Sequence, residues 1–323
     1  MKRWIVYLLL CAGFYFLPVY GQENNEKDDA RPSVSGYAQI IYSQYLKNQE
    51  HDRQSGFDIN RVRFAFEGSV IPDRVHYAVE FDPQGSPILD DTYLDFIISK
   101  NSKVRLGRYK IPFGAENPTG EDELHFIEKS KVVESVFSAR EVGIGTYYER
   151  NWIIGDVGYF QKSEDEHIER DVIGRIGLKP FGKYIETGGS GDYEKIHTDS
   201  TNFAIHRIGA DLTCEVGPIK MQGEYIRSKG TMEDKQLSGY GYYGYGQYTH
   251  HIGDTQISWG VRYEFYQPDK NNKSDQERKY VVGSTIAFHP RMRAQVNFQH
   301  IRENIETNNQ GQNKLIVQYQ FSF

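Results

Sequence analysis

The chain has 323 residues, a net charge of −6 and 14% aromatic residues, with 24 Tyr, 18 Phe and 31 Gly. The acidic balance argues against the basic surface that nucleic-acid binding needs, and two cysteines argue against a disulfide-rich secreted scaffold. Many aromatics and glycines in a chain of this length favour one closed or stacked antiparallel sheet over two globular domains.

The first residues predict a cleavable signal peptide over 1–21. Lys2 and Arg3 precede an apolar run that ends near Leu17, and the small residue Gly21 follows soon after. The run is short for a membrane-spanning helix, and a single N-terminal anchor is the alternative. We therefore expect an exported protein.

Three segments follow from this division: the signal peptide, a short polar segment over 22–32, and one domain over 33–323. Cleavage of the signal peptide removes Cys11 and leaves Cys214 as the only cysteine. The exported domain is therefore expected to fold without an intramolecular disulfide bond.

Short segments with alternating apolar and polar residues recur along the rest of the chain. In RVRFAFEG, Val62, Phe64 and Phe66 share one face, and Arg61 and Arg63 share the other. HYAVEFD and DTYLDFII repeat the pattern, which is typical of amphipathic strands. It predicts roughly sixteen strands, at 34–46, 58–68, 75–83, 90–99, 103–110, 142–149, 152–161, 171–179, 184–193, 205–215, 218–227, 239–249, 255–267, 279–289, 292–302 and 314–323.

The connections between these strands distinguish a membrane barrel from a soluble β-sandwich. Tight turns such as SVIPDR and HPRM alternate with longer polar connections, which include KSEDEHIERD (162–171) and SKGTMEDKQLSG (228–239). Short turns at one end and long loops at the other are typical of outer-membrane barrels. The predicted fold class is therefore all-β, a transmembrane antiparallel outer-membrane β-barrel.

The longest connection, over about 111–141, is the third loop of this barrel. It contains Leu124, Ile127, Val132 and Val133 in a mixed pattern, which argues against disorder. We expect it to fold inward, to narrow the lumen and to include one or two helical turns.

Three stretches in the first half of the chain resemble a known family. They are RVRFAFEG from Arg61, GRYKIPFGAE over 107–116 and SAREVGIG over 138–145. Together they resemble the phosphate-selective porin O and P family of outer-membrane porins. The resemblance implies a sixteen-stranded general or anion-preferring channel, commonly a homotrimer, with an inward-folding third loop. The acidic, rather short chain departs from the family and argues against strict phosphate selectivity.

If Phe64 and Phe66 face lipid, several basic strand residues face the lumen. Rings of such side chains form anion pathways in channels. The alternative is a structural lattice of ion pairs with lumen carboxylates. The candidates for the anion pathway are Arg61, Arg63, Arg105, Arg175 and Lys179.

The third loop also carries opposite charges, which at a constriction would create a transverse field that orients polar solutes. The alternative is a solvated loop face, and Arg140 is expected to pin the loop to the wall. The candidates at the constriction are Lys110, Glu116, Lys129, Lys131 and Arg140.

The Tyr-rich stretch over 240–248 fits an interfacial aromatic girdle, with a sugar-stacking track as the alternative. His250 and His251 are adjacent and would point to opposite faces of a strand, so they do not form a metal site by themselves. The sequence predicts no catalytic residue, no metal and no cofactor. A hydrolase built from loop residues and a non-conducting structural or adhesin barrel are the alternatives.

The last ten residues, KLIVQYQFSF, alternate to the terminal Phe323. Such an end resembles the signal that the barrel-assembly machinery reads. A last strand that pairs with the first, around 36–45, would close the barrel. The sequence therefore predicts a porin in the bacterial outer membrane that contacts lipid, forms a homotrimer and passes small hydrophilic or anionic solutes.

Overall fold

The computed structural model describes residues 32–46, 55–85, 87–136, 140–164, 167–197, 202–232, 235–303 and 311–323. The predicted signal peptide over 1–21, and all but the last residue of the polar segment over 22–32, lie outside the described residues. Among the described residues, no helix is both long enough and apolar enough to cross a membrane.

Sixteen strands form one closed antiparallel barrel, in which each strand pairs with its neighbours in the chain and β16 pairs with β1. Each predicted strand has a counterpart, so the fold class and the strand number are confirmed. The strands are β1 Ser33–Leu46, β2 Gly56–Ile71, β3 Val75–Phe81, β4 Leu89–Ser99, β5 Ser102–Lys110, β6 Arg140–Arg150, β7 Ile153–Glu164, β8 His167–Leu178, β9 Ile185–His197, β10 Asn202–Val216, β11 Ile219–Met232, β12 Lys235–Ile252, β13 Thr255–Gln267, β14 Glu277–His289, β15 Met292–Glu303 and β16 Gly311–Ser322.

The barrel is polar inside and apolar outside. The inward side chains of Gln295, Asn297 and Gln318 are at most 1% exposed, whereas the outward Val142 and Ile144 are 53% and 49% exposed. A soluble sandwich has the opposite arrangement, because it must bury its apolar face. The outward apolar band is therefore a surface for lipid.

The C-terminal strand closes the barrel as predicted. β16 pairs with β1 from Tyr37 opposite Ser322 to Tyr45 opposite Lys314. Phe323 lies just past the strand, and its N–H and C=O bond with those of Gly36 at 3.0 and 3.1 Å. The predicted partner segment, 36–45, is confirmed.

One end of the barrel, here the short-turn end, carries turns at 72–74, 100–101, 151–152, 217–218, 253–254 and 290–291. The other end carries most of the longer connections, but two of the predicted loops are wrong. β7 and β8 extend into 162–171, and β11 and β12 extend into 228–239. These strands continue their backbone pairing past the apolar band. Side chains there do not contact lipid and need not be apolar, so the sequence of these strand ends has the polar composition of a loop.

Candidate functional site

The connection between β5 and β6 folds into the lumen, as predicted, and its described part includes a short helix, α1 (Lys131–Val136). Its main chain bonds to the wall on several sides. The Gln39 side chain donates to Glu121 O at 3.3 Å, the Gln295 side chain donates to Leu124 O at 3.0 Å, and Ile127 N donates to Asn297 Oδ1 at 2.9 Å. Because these wall residues lie on β1 and β15, the loop crosses the lumen and narrows it.

Apolar loop side chains pack into gaps that wall glycines leave. A Cβ at Gly209 would lie 2.7 Å from the Phe113 ring, and a Cβ at Gly241 would lie 2.7 Å from Val132. Phe113 and Val132 are 0% and 1% exposed. Larger residues at these wall positions would push the loop inward, so the glycines set how closely the loop docks.

Glu121 is the centre of one charged anchor. Its carboxylate lies 2.9 Å from Arg63, 3.2 Å from Lys110, 3.5 Å from Lys129 and 3.9 Å from Arg140. Burial would raise the pKa of Glu121, but the surrounding cations outweigh this effect and hold its pKa well below the ordinary range. The carboxylate is therefore ionised, and it ties the loop to β2, β5 and β6.

Arg262 on β13 forms a second charged anchor. Its guanidinium donates to Glu128 O at 3.0 Å and Lys129 O at 3.3 Å, and it lies 2.7 Å from Glu264 and 3.5 Å from Glu116. The Arg262 side chain is 1% exposed. A fork of donors thus satisfies two loop carbonyls and two carboxylates at once.

A third anchor holds the start of the loop. The Glu224 carboxylate accepts from the backbone N–H groups of Ala115 and Glu116 at 3.3 and 3.4 Å, and Gly114 N donates to Ser190 Oγ at 3.0 Å. Gly114 has φ 66°, in the left-handed region that favours glycine. Its lack of a Cβ also leaves room for the Glu224 carboxylate.

Two cavities lie beside the loop on the short-turn side of the lumen, with volumes of about 600 and 700 Å³. Glu123 of the loop and Lys220 and Gln222 of β11 line both cavities. The part of the lumen that these three residues line is called the passage below. The two cavities therefore share this part of their lining.

Opposite charges face each other around the passage. Among the described residues, neither Lys220 nor Arg293 has a carboxylate oxygen within 4.0 Å, and Arg293 donates to Gln320 Oε1 at 3.0 and 3.2 Å. Asp122 and Glu123 on the loop are close enough to act on Arg293 electrostatically. The loop side is therefore acidic, and the wall side carries Lys220 and Arg293 together with Glu215, which lies opposite Lys220 on β10.

The predicted anion-pathway residues lie in the lumen or at its rim, and most are held in ion pairs. Arg63 pairs with Asp90 at 2.9 Å, Arg105 with Asp95 at 2.6 Å, and Arg175 with Asp211 at 2.6 Å. Lys179 lies just past the end of β8, and it pairs with Glu149 at 2.6 Å. Arg61 donates to Gln39 Oε1 at 3.2 Å. This arrangement matches the structural lattice that the sequence left open.

The predicted constriction residues are brought together around the loop, but they mostly anchor it. Lys110 and Lys129 contact Glu121, and Glu116 accepts from Ser130 at 2.6 and 2.7 Å. Lys131 pairs with Glu277 at 3.4 Å.

Arg140 joins the loop to the wall through β3 and β4. It pairs with Asp91 at 2.8 Å and Glu80 at 3.2 Å, besides its contact with Glu121. The placement agrees with the pinning role expected for Arg140.

The Tyr-rich stretch divides between the two faces of β12. Tyr242 and Tyr248 point outward and are 38% and 49% exposed. Tyr243 and Tyr245 point inward and stack at 6.5 Å, and His125 of the loop stacks on Tyr245 at 6.3 Å. Tyr243 is buried, whereas Tyr245 is half-buried and lines the smaller of the two cavities.

Sequence reasoning missed Lys220, Gln222, Arg262 and Arg293. Each lies in an ordinary alternating strand, and no local motif marks it. The alternation does assign Lys220, Arg262 and Arg293 to polar faces, but it does not show which of them meet the loop. Among the described residues, no group of three or more His, Cys, Asp or Glu side chains could hold a metal ion.

The closed barrel, the polar interior and the inward loop define the class of the chain as a porin-type outer-membrane barrel. Within that class, the family model of the phosphate-selective porin O and P matches residues 34–171. The match runs from β1 into β8 and confirms the resemblance drawn from the sequence.

Solved structures share the fold at low identity. An anion-selective porin from Comamonas acidovorans is 12% identical, with a TM-score of 0.70 over 90% of this chain and 99% of that one. OmpT, an outer membrane protein of Vibrio cholerae, is 12% identical, with a TM-score of 0.68 over 92% and 99%. The outer membrane channel DcaP of Acinetobacter baumannii is 10% identical, with a TM-score of 0.65 over 92% and 99%. The comparison with curated proteins found no match.

Proposed function

We propose that this protein is an outer-membrane porin, a water-filled channel through which small hydrophilic solutes diffuse. The observation that carries the proposal is a pair of cavities that share the lining of the passage beside an inward loop, inside a barrel with a polar interior. Such a channel needs no catalytic group, because it acts through lumen width and through charges that change the local solute concentration.

The charge arrangement supports a weak anion preference rather than strict phosphate selectivity. Ion pairs neutralise Arg63, Arg105 and Arg175, so they add little net field in the lumen. Lys220 and Arg293 have no such partner among the described residues, and they face the passage or the cavity beside it. These two side chains on the wall attract anions, and the carboxylates on the loop reduce this attraction.

Reversal potentials in a KCl gradient across a planar bilayer test this proposal. Steady openings with a small anion preference are expected, and Lys220→Glu should turn the preference toward cations. Lys229→Glu is the matched control, because Lys229 lies on the same strand and on its outward face. A cation preference in the unmodified protein would refute the selectivity, and the absence of openings would favour a structural or adhesin barrel.

The assembled form that we propose is a homotrimer in the bacterial outer membrane, exported by the signal peptide over 1–21 and inserted by the barrel-assembly machinery. β3 has only 7 residues, whereas a membrane-spanning strand needs about 9–11. A neighbouring copy would cover the part of the wall at the short strand β3 and keep lipid away from it. Chemical cross-linking of the folded protein in membranes tests the proposal, and a band limited to monomers would contradict it.

A further inference from the structure

The cavity of about 600 Å³ has an unusual lining for a charged lumen, because uncharged hydrogen-bonding side chains from four adjacent strands form one continuous part of its wall. They are Gln222 on β11, Gln247 and Thr249 on β12, Gln256 and Ser258 on β13, and Thr285 on β14. The acidic and basic residues of the lining are Glu116, Glu123, Glu215, Lys220, Arg262 and Arg293, and the two signs balance in number. The cavity therefore offers many donors and acceptors with little net charge.

The neighbouring cavity of about 700 Å³ has the opposite character. Its wall carries Arg105 paired with Asp95, and Arg175 paired with Asp211 and Glu186 at 2.6 and 3.0 Å. These charged groups already pair with one another, so an uncharged solute would gain few new hydrogen bonds there in exchange for those it makes with water. The lumen on the short-turn side thus has a charged half and a neutral half.

The neutral half is held in place before any solute arrives. Thr249 Oγ1 and Ser258 Oγ are 2.9 Å apart, and Gln247 donates to Thr249 Oγ1 at 3.1 Å. Gln222 donates to Tyr243 at 2.7 Å and accepts from Tyr245 at 3.1 Å. A hydroxyl has one donor and two acceptor positions, and an amide has two of each, so these groups keep capacity for a further partner. Fixed groups of this kind bind with a smaller loss of side-chain entropy.

We propose that this cavity is a binding subsite for uncharged, hydroxyl-rich solutes of the saccharide class. Recognition is by hydrogen bonds to amides and hydroxyls, because these groups outnumber the Tyr and Phe rings of the lining, Tyr245 and Phe126. The volume lies in the range of small-molecule sites. The proposal rests on the proposed porin function only in that the solute reaches the cavity through the lumen.

Equilibrium dialysis of radiolabelled maltose against the folded protein tests the subsite, in a detergent without a sugar head group. Saturable binding is expected, and the Thr249→Val/Ser258→Ala double variant should weaken it by about fivefold or more through the loss of two hydroxyls. Thr213→Val is the matched control, because Thr213 lines the charged cavity and does not line the neutral one. Binding that does not saturate, or equal binding by the double variant, would overturn the proposal.

A second readout separates this proposal from the porin function. In planar bilayers, maltose should reduce the KCl current in a saturable way, and the double variant should still conduct KCl but lose this reduction. A protein that binds maltose but carries no current would refute the channel and leave the subsite. A protein that conducts KCl but shows no saturable binding in dialysis would refute the subsite and leave the channel.

Discussion

Replacement of Arg262 by Met should release the loop from the wall on its β13 side. Arg262 is the donor to Glu128 O and Lys129 O, and it is the partner of the carboxylates of Glu264 and Glu116. Met fills a similar volume but donates nothing. The variant thus leaves two carboxylates and two loop carbonyls without this cation, and the barrel strands keep all their backbone pairing.

The structure gives the size of the effect. The Arg262 and Glu264 side chains are 1% and 2% exposed, so solvent screens their interaction little. Removal of one partner of a buried pair typically costs about 3–5 kcal/mol. Lumen water can reach the freed groups after the loop moves, so we expect the lower end, about 3 kcal/mol, which is about a hundredfold in the docking equilibrium.

Single-channel recording is the assay. Arg262→Met should show larger and noisier openings than the unmodified protein, with unchanged resistance to SDS before heating, because closure of the barrel does not depend on the loop. Arg278→Met is the control, since Arg278 is exposed on the neighbouring strand. Conductance and noise equal to those of the unmodified protein would refute the role of Arg262 as an anchor.

Three further outcomes are expected. Gly209→Val should displace the loop and change the conductance, because even a Cβ there lies 2.7 Å from a loop ring, whereas the outward Gly191→Val should not. Burial, helped by nearby cations, lowers the pKa of His125 from 6.5 to about 4. Docking of the loop therefore favours the neutral imidazole, so it is strongest above pH 6.5 and weakens as the pH falls toward about 4. Channel noise should rise over this range and His125→Gln should reduce the rise, and an identical pH profile for the variant would exclude this cause. Deletion of Phe323 should lower the amount of assembled protein in outer-membrane fractions and leave the conductance of assembled molecules unchanged; normal assembly would contradict the role of the terminal residue.

Alternation along the chain was enough to predict most of the barrel. A period of two assigns Arg63 to the face opposite Phe64, and the structure places these side chains inside and outside respectively. The same reasoning predicted the closure of β16 on β1. These features depend on neighbours within one strand or on the need to close a sheet, so a single sequence contains them.

The candidate site depends on contacts between distant parts of the chain. Arg262 meets the loop more than 130 positions earlier in the chain, and no local pattern distinguishes it from other lumen residues. The ion pairs of Arg63 and Arg105 likewise depend on strand register, which the alternation does not give. The two strand extensions over 162–171 and 228–239 were misread because strands outside the lipid band have the composition of loops.

The central claim is that solutes moving through the lumen pass the side chains of Glu123 on the loop and Lys220 on β11, which line both cavities. Lys220→Cys and Glu123→Cys, each in a Cys214→Ser background, place a thiol on either side of the passage. A bulky water-soluble methanethiosulfonate reagent, added during bilayer recording, should reduce the current through each variant in discrete steps and leave the background protein unaffected. Thiols that are labelled in full without any change in current would contradict the claim.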